Sequence, residues 1–301
     1  MTVRLVAAMT LVWAGAAPAQ VDPEYLRTRV SGKELCLSWN IHTFEYKLHR
    51  ADAGYAARAD VAGAIDRAFA SWQQVSSGCS DWTFRRASPF LVPDVAVGKG
   101  TGNVVGLIVF KEKSCRDIDA GDACHLQDGS SGACRNKYNC FDGDDFTIAL
   151  TTTSFVASSG IVTDADIEFN AASHLGGGGA YVFTTGDAGV QTDLVNTLTH
   201  EIGHVVGFDH AGPPTGTMYA SASPGEVQKR VIDVGLKKGF CETYPKGQPS
   251  PSCDESSSLK RRIVAQNQGT PGLTGLGCAA TGAAWPLAWV VALWCVRRRI
   301  T

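Results

Sequence analysis

Three histidines within eleven residues have the spacing of a metal site. His200 and His204 are four residues apart, so on a helix their imidazoles share one face. Gly207 can adopt a positive φ without a Cβ penalty, which lets the helix end and the chain fold back to bring His210 to the same ion. Three neutral imidazoles and one open position suit a catalytic zinc, because a structural zinc is closed by four protein ligands. We therefore predict one Zn²⁺ held by the three histidines.

Glu201 stands directly beside His200 and is the candidate general base. A bound zinc lowers the pKa of its water from about 15.7 towards 7, and a neighbouring carboxylate can take the proton. An isolated histidine is usually an ordinary core or surface residue. We keep that interpretation for the others: His42, His49, His125 and His174.

A helix must carry these side chains, and the sequence predicts one. It begins near Thr192, which can cap it, while Asp193 complements the helix dipole, and it runs through LVNTLTHEIGHVV. Two more helices are predicted, at residues 57–75 and 227–243.

Apolar runs predict the strands of a sheet behind that helix. Together, the predicted helices and strands indicate an α/β (α+β) fold: a twisted, mostly parallel five-stranded sheet, an active-site helix and a small C-terminal subdomain. The predicted strands are residues 37–44, 82–84, 103–110, 146–152 and 161–169.

The cysteines indicate export and a disulfide-held loop. Eight of the ten cysteines precede the C-terminal tail, so we expect up to four disulfides whose pairing the sequence leaves open. Residues 111–145 are rich in Asp, Gly and Cys without periodicity and are predicted to be an inserted loop. A metal site among its cysteines is disfavoured, since none has CxxC spacing. The acidic cluster at residues 142–145 could bind Ca²⁺, although it lacks EF-hand spacing and a solvated turn is commoner.

The ends of the chain differ from its centre. Residues 1–19 place one Arg before an apolar run ending in Ala17-Pro18-Ala19, which predicts a cleaved signal peptide. Residues 20–245 form the predicted catalytic domain, and residues 246–276 have the composition of a flexible linker. Residues 277–301 contain an apolar stretch followed by three arginines, which predicts a membrane anchor with the arginines on the cytoplasmic side.

Charge excludes one class of partner. The formal net charge is −2, and the only basic run is that C-terminal arginine cluster, so no nucleic-acid surface is expected. The length between signal and tail suits one domain, and we expect the catalytic domain to be monomeric.

The pattern HExxHxxGxxH, followed by Gly216-Thr217-Met218-Tyr219, resembles the metzincin zinc metallopeptidases. The resemblance implies a metzincin-like zincin fold, cleavage of protein or peptide substrates, and Met218 as a hydrophobic base beneath the metal. By the same resemblance Glu201 takes a proton from zinc-bound water and returns it to the leaving amine.

Within the metzincins, the sequences MYAS and FASWQQ and the strand order are similar to the matrixins and their bacterial relatives, over residues 35–244. This resemblance implies that residues 147–152 form the edge strand above the cleft, with Ala149, Leu150 and Tyr219 contacting substrate. An ordinary buried strand is the alternative. The chain departs from the matrixins in having Ala220 after the Met-Tyr pair, no inhibitory Pro-Arg-Cys-Gly segment and no ligand set for a second zinc.

The tail resembles the MYXO-CTERM type of bacterial sorting signal, on Gly277, Cys278, the apolar stretch and the terminal arginines. This resemblance implies an exported, surface-destined protein with Cys278 as the site of processing. A plain membrane anchor is the alternative.

These patterns predict a secreted or surface-anchored zinc endopeptidase. One alternative is a proteolytically silent surface-binding module that keeps the metal, and another is a structural envelope protein that zinc only stabilises. Glu201 argues against the first, because a binding module needs no general base, and the open coordination position argues against the second.

Overall fold

A computed structural model describes residues 25–50, 58–92, 97, 105–125, 132–172 and 181–253, and the backbone of 273–280. The predicted signal peptide and most of the predicted tail lie outside these residues. The helices are α1 (Ala59–Cys79), α2 (Gly132–Lys137), α3 (Leu194–Val205) and α4 (Val234–Thr243). The strands are β1 (Leu26–Arg27), β2 (Thr43–His49), β3 (Thr83–Val92), β4 (Val105–Lys111), β5 (Thr147–Phe155), β6 (Val162–Asn170), β7 (Phe183–Thr184), β8 (Thr192–Asp193), β9 (Phe208–Asp209), β10 (Ser221–Ala222) and β11 (Leu273–Ala280).

A mostly parallel sheet of five strands forms the centre, which confirms the predicted α/β class and sheet. Its order is β3-β2-β4-β6-β5, and only β5 runs antiparallel to its neighbour. Beyond β5 the sheet continues through β11 to the short β10. The strand that the sequence places at residues 37–44 is instead β2, because its alternation of buried and half-exposed side chains begins at Thr43.

One face of α1 is buried between the sheet and α3. The indole of Trp72 donates to the carbonyl of Thr199 on α3 at 2.9 Å, and its ring stacks on Phe208. Burying a large apolar side chain contributes about 1.5–3 kcal/mol, so this face fixes α1 against α3. The buried face comprises Val61, Ala64, Ile65, Ala68, Phe69, Trp72 and Val75.

Four disulfides join the described residues, which is the upper limit that the sequence predicts. Two of them lie within the inserted loop, and two join distant parts of the chain. Cys253 is thereby bonded covalently to the start of the domain. Disulfides in this number are typical of an exported protein. The pairs are Cys36–Cys253, Cys79–Cys241, Cys115–Cys140 and Cys124–Cys134.

The loop between β4 and β5 is also fastened by buried charges. Lys111 Nζ lies 3.3 Å from Glu168 Oε1, and Arg135 Nη1 lies 3.0 Å from Glu168 Oε2. Burial lowers the pKa of Lys111, an effect that the Glu168 carboxylate opposes. Since Arg135 lies on α2 and Glu168 on β6, this cluster binds the loop to the sheet.

The acidic residues proposed for calcium engage in other contacts. Asp144 Oδ1 accepts from the Phe146 amide and the Thr147 hydroxyl, and Asp145 pairs with Arg116 at 3.0 Å. In the described part of the chain these carboxylates do not gather into a three-ligand cluster.

Among the described residues, none of the helices combines the length and the apolar composition of a membrane span.

Candidate metal centre

Helix α3 presents the first two histidines and is buried along its whole length. It begins where the Asp193 carboxylate accepts from the Asn196 amide at 2.7 Å, so Asp193 is its N-cap. The predicted cap, Thr192, is one residue too early, because Thr192 and Asp193 pair with β7 as strand β8. His200, Glu201 and His204 follow in the last two turns.

Gly207 ends the helix and turns the chain towards His210, as predicted. Its φ is 91°, and a Cβ placed there would lie 2.7 Å from the carbonyl oxygen of Leu37. Its own carbonyl accepts from the Thr28 amide at 2.8 Å. The turn therefore needs glycine both for its backbone angle and for the close approach of a neighbouring segment.

Replacing this glycine should be costly. We expect Gly207→Ala to lower the free energy of unfolding by about 3 kcal/mol, because a left-handed alanine is strained and its Cβ meets backbone. Gly32→Ala is the matched control: φ is 69° there and the space is open, so about 1 kcal/mol is expected. Urea unfolding of both variants in chelator measures the difference. Equal costs would contradict this account of the turn.

The three imidazoles converge on one point. Nε2 of His204 lies 3.1 Å from Nε2 of His200 and 3.1 Å from Nε2 of His210, and the remaining pair is 3.2 Å apart. His200 and His204 are buried, and His210 is half-buried. The structure thus brings together all three residues that the sequence predicts.

Backbone carbonyls set the tautomers of the buried pair. Nδ1 of His200 is 2.7 Å from the carbonyl oxygen of Thr217, and Nδ1 of His204 is 2.8 Å from that of Phe208. A carbonyl only accepts, so each Nδ1 carries the proton and each Nε2 directs a lone pair at the common point. Sequence reasoning missed both carbonyls, since a backbone acceptor leaves no signal in residue type.

The donor set fits a zinc ion. Two imidazole nitrogens bound to one tetrahedral zinc at 2.0–2.1 Å lie about 3.3 Å apart, close to the distances found here. Burial, and then the neighbouring imidazoles, hold the pKa of His200 and His204 well below its usual value. Both rings are therefore neutral near pH 7, the form that binds metal. No fourth protein ligand joins the cluster among the described residues, as an open catalytic position requires.

Glu201 lies one residue from the first ligand and is buried. Its Oε2 accepts a hydrogen bond of 2.6 Å from the hydroxyl of Thr151 on β5. This bond fixes the carboxylate between α3 and the edge of the five-stranded sheet. Thr151 could not be selected from the sequence, because the contact joins residues fifty positions apart.

Met218 is buried and packs against α3 at Gly203, between the positions of His200 and His204. Its sulfur fills the space beside Gly203, where a Cβ would lie only 2.2 Å away. The preceding residue, Thr217, exchanges two hydrogen bonds with Asp233, at 2.8 and 2.9 Å, and Asp233 caps α4. The methionine turn is thereby anchored on one side to α4 and on the other to His200.

The space between β5 and β10 forms a groove that the backbone of β11 occupies: Ala149 pairs with Cys278 and Leu150 with Gly277. β5 is therefore an inner strand of the described sheet and not the edge strand that the resemblance implies for residues 147–152. Tyr219 is half-buried in the segment that leads to β10. Next to the groove is a pocket of about 180 Å³, whose walls include Ile148, Asn196, Thr197 and Ala222.

A second cluster cannot hold a metal as the structure stands. Cys124, His125 and Cys134 lie together, but the two sulfurs form a disulfide and offer no thiolate. His125 remains the ordinary residue that the sequence predicts.

Comparison with known proteins adds no relative. No protein-family model matches this chain, and no curated protein matches it.

Proposed function

We propose that the protein is an exported zinc-dependent endopeptidase of the metzincin group, similar to the matrixins. The observation that carries the proposal is the convergence of three Nε2 atoms, 3.1–3.2 Å apart, one residue from a buried carboxylate. The Nε2 lone pairs of His200 and His204 face each other at 3.1 Å, and they repel unless a cation lies between them.

The proposed chemistry divides between the metal and the chain. His200, His204 and His210 would hold zinc, which when bound activates water and polarises a carbonyl. Glu201 accepts the water proton and later gives it to the leaving amine as general acid. Thr151 holds the Glu201 carboxylate in place through its 2.6 Å hydrogen bond.

The groove supports an extended peptide as the substrate. The outer backbone groups of β5 pair with β11, and a peptide substrate would take that place as the added strand. The adjacent pocket has room for one substrate side chain. Membrane attachment through residues 277–301 stays a prediction, because residues 281–301 lie outside the described part of the chain.

Digestion of an unfolded protein tests the proposal. The full chain, incubated with denatured casein, should produce new termini inside the substrate, identified by mass spectrometry. A zinc chelator should stop cleavage, and added zinc should restore it. A zinc-loaded chain that leaves casein and a broad peptide library intact would contradict the proposal and favour a surface-binding module.

A further inference from the structure

The groove beside the metal centre is filled by the chain itself. β11 lies between β5 and β10, antiparallel to the first and parallel to the second. Its pairing with β5 runs from Leu273 opposite Ser154 to Ala279 opposite Thr147. The segment thus pairs with β5 between Thr147 and Ser154, which includes the residues where the proposed function places substrate.

The segment also lies opposite the strand residue that contacts the proposed general base. Leu276 pairs with Thr151, whose hydroxyl contacts Glu201. α3 itself contacts β11. The backbone of Leu276 therefore lies beside the part of β5 where we expect a bound peptide to be hydrolysed.

The connection between Cys253 and β11 is long enough for the segment to reach the groove of its own molecule. Cys253 is fixed to the domain by its bond to Cys36, and residues 254–272 connect it to β11. A chain of that length can span about 66–72 Å, well beyond the ~17 Å radius of gyration of a domain this size. A tethered segment acts at an effective concentration of about 1 mM, so weak pairing suffices.

The composition of β11 favours a displaceable occupant. Its sequence, LTGLGCAA, has glycine at positions 275 and 277, and glycine inside a strand weakens it. The predicted linker, which ran to residue 276, therefore ends in a strand that depends on the edge of β5 for its pairing.

We propose that Leu273–Ala280 is an intramolecular occupant of the substrate groove that competes with external peptides. This proposal rests on the proposed function, because it takes the groove as the peptide site. Competition of this kind raises the KM for an external peptide and leaves kcat unchanged, since a peptide that displaces the segment meets the same catalytic groups.

The test is a double substitution, Gly275→Pro with Leu276→Pro, in the full chain. Successive amides of a strand point to opposite edges, so one of two adjacent prolines removes a donor to β5. The matched control, Gly275→Ala with Leu276→Ala, keeps both amides. We expect the proline variant to lower the KM for a peptide substrate about tenfold at unchanged kcat, with the control near wild type.

Amide hydrogen exchange supplies a readout that needs no activity. In the proline variant the β5 amides that face β11 should exchange faster, while those of α3 stay protected. Unchanged exchange of β5, or faster exchange with no change in KM, would overturn the proposal. A KM that varies with protein concentration would assign the segment to a second copy and overturn it as stated. If no variant cleaves peptide while β5 loses protection, the proposed function fails and the occupancy stands.

Discussion

Glu201→Gln is expected to leave zinc bound and to lower kcat about 10³-fold. Gln has almost the same shape as Glu, and its amide oxygen can still accept from Thr151, so the three histidines should keep their arrangement. It cannot accept a proton at neutral pH, and the attacking water then loses its base. The measurements are zinc content by elemental analysis and the initial rate on a peptide substrate.

Glu112→Gln is the matched control for that experiment. It makes the same change of charge at an exposed residue on the loop after β4, and the rate should stay within twofold of wild type. If Glu201→Gln kept more than about a tenth of the wild-type rate with zinc in place, Glu201 would not be the general base.

His204→Ala should remove both the metal and the activity. Two imidazoles bind zinc far more weakly than three, and the Phe208 carbonyl loses a donor that lies 2.8 Å away in the native chain. Zinc at 1,000 times its dissociation constant stabilises a native protein by about 4 kcal/mol. We therefore expect zinc to raise the melting temperature of the wild-type chain and to leave that of the variant unchanged.

His42→Ala controls for the loss of any histidine. His42 is exposed and pairs with Asp81, away from the centre, so its variant should bind zinc and melt as the wild type does. Binding of one zinc by His204→Ala with native affinity would show that the metal lies elsewhere.

The metal centre could be predicted because its geometry is local. Histidines four residues apart on one helix must share a face, and a glycine must follow for the third to return. The same reasoning could not supply the groups around the ligands. Thr151 reaches Glu201 from another strand, and the carbonyls of Thr217 and Phe208 hold the imidazoles from separate turns.

The existence and type of the central sheet could likewise be predicted, whereas the contacts between distant segments could not. Apolar runs identify strands, whereas the pairing of Cys36 with Cys253 depends on how distant segments meet. β11 was not predicted because its glycines and small residues have low strand propensity, and its extended conformation depends on pairing with β5. The sequence alone therefore assigned residues 246–276 to a linker.

The most direct test of the central claim is the casein digestion carried out as a zinc titration of the metal-free chain. We predict no cleavage without zinc, and a rate that rises in proportion to added zinc and levels off at about one ion per chain. One tightly bound zinc per chain with no cleavage at any zinc concentration would contradict the claim that this site hydrolyses peptide bonds.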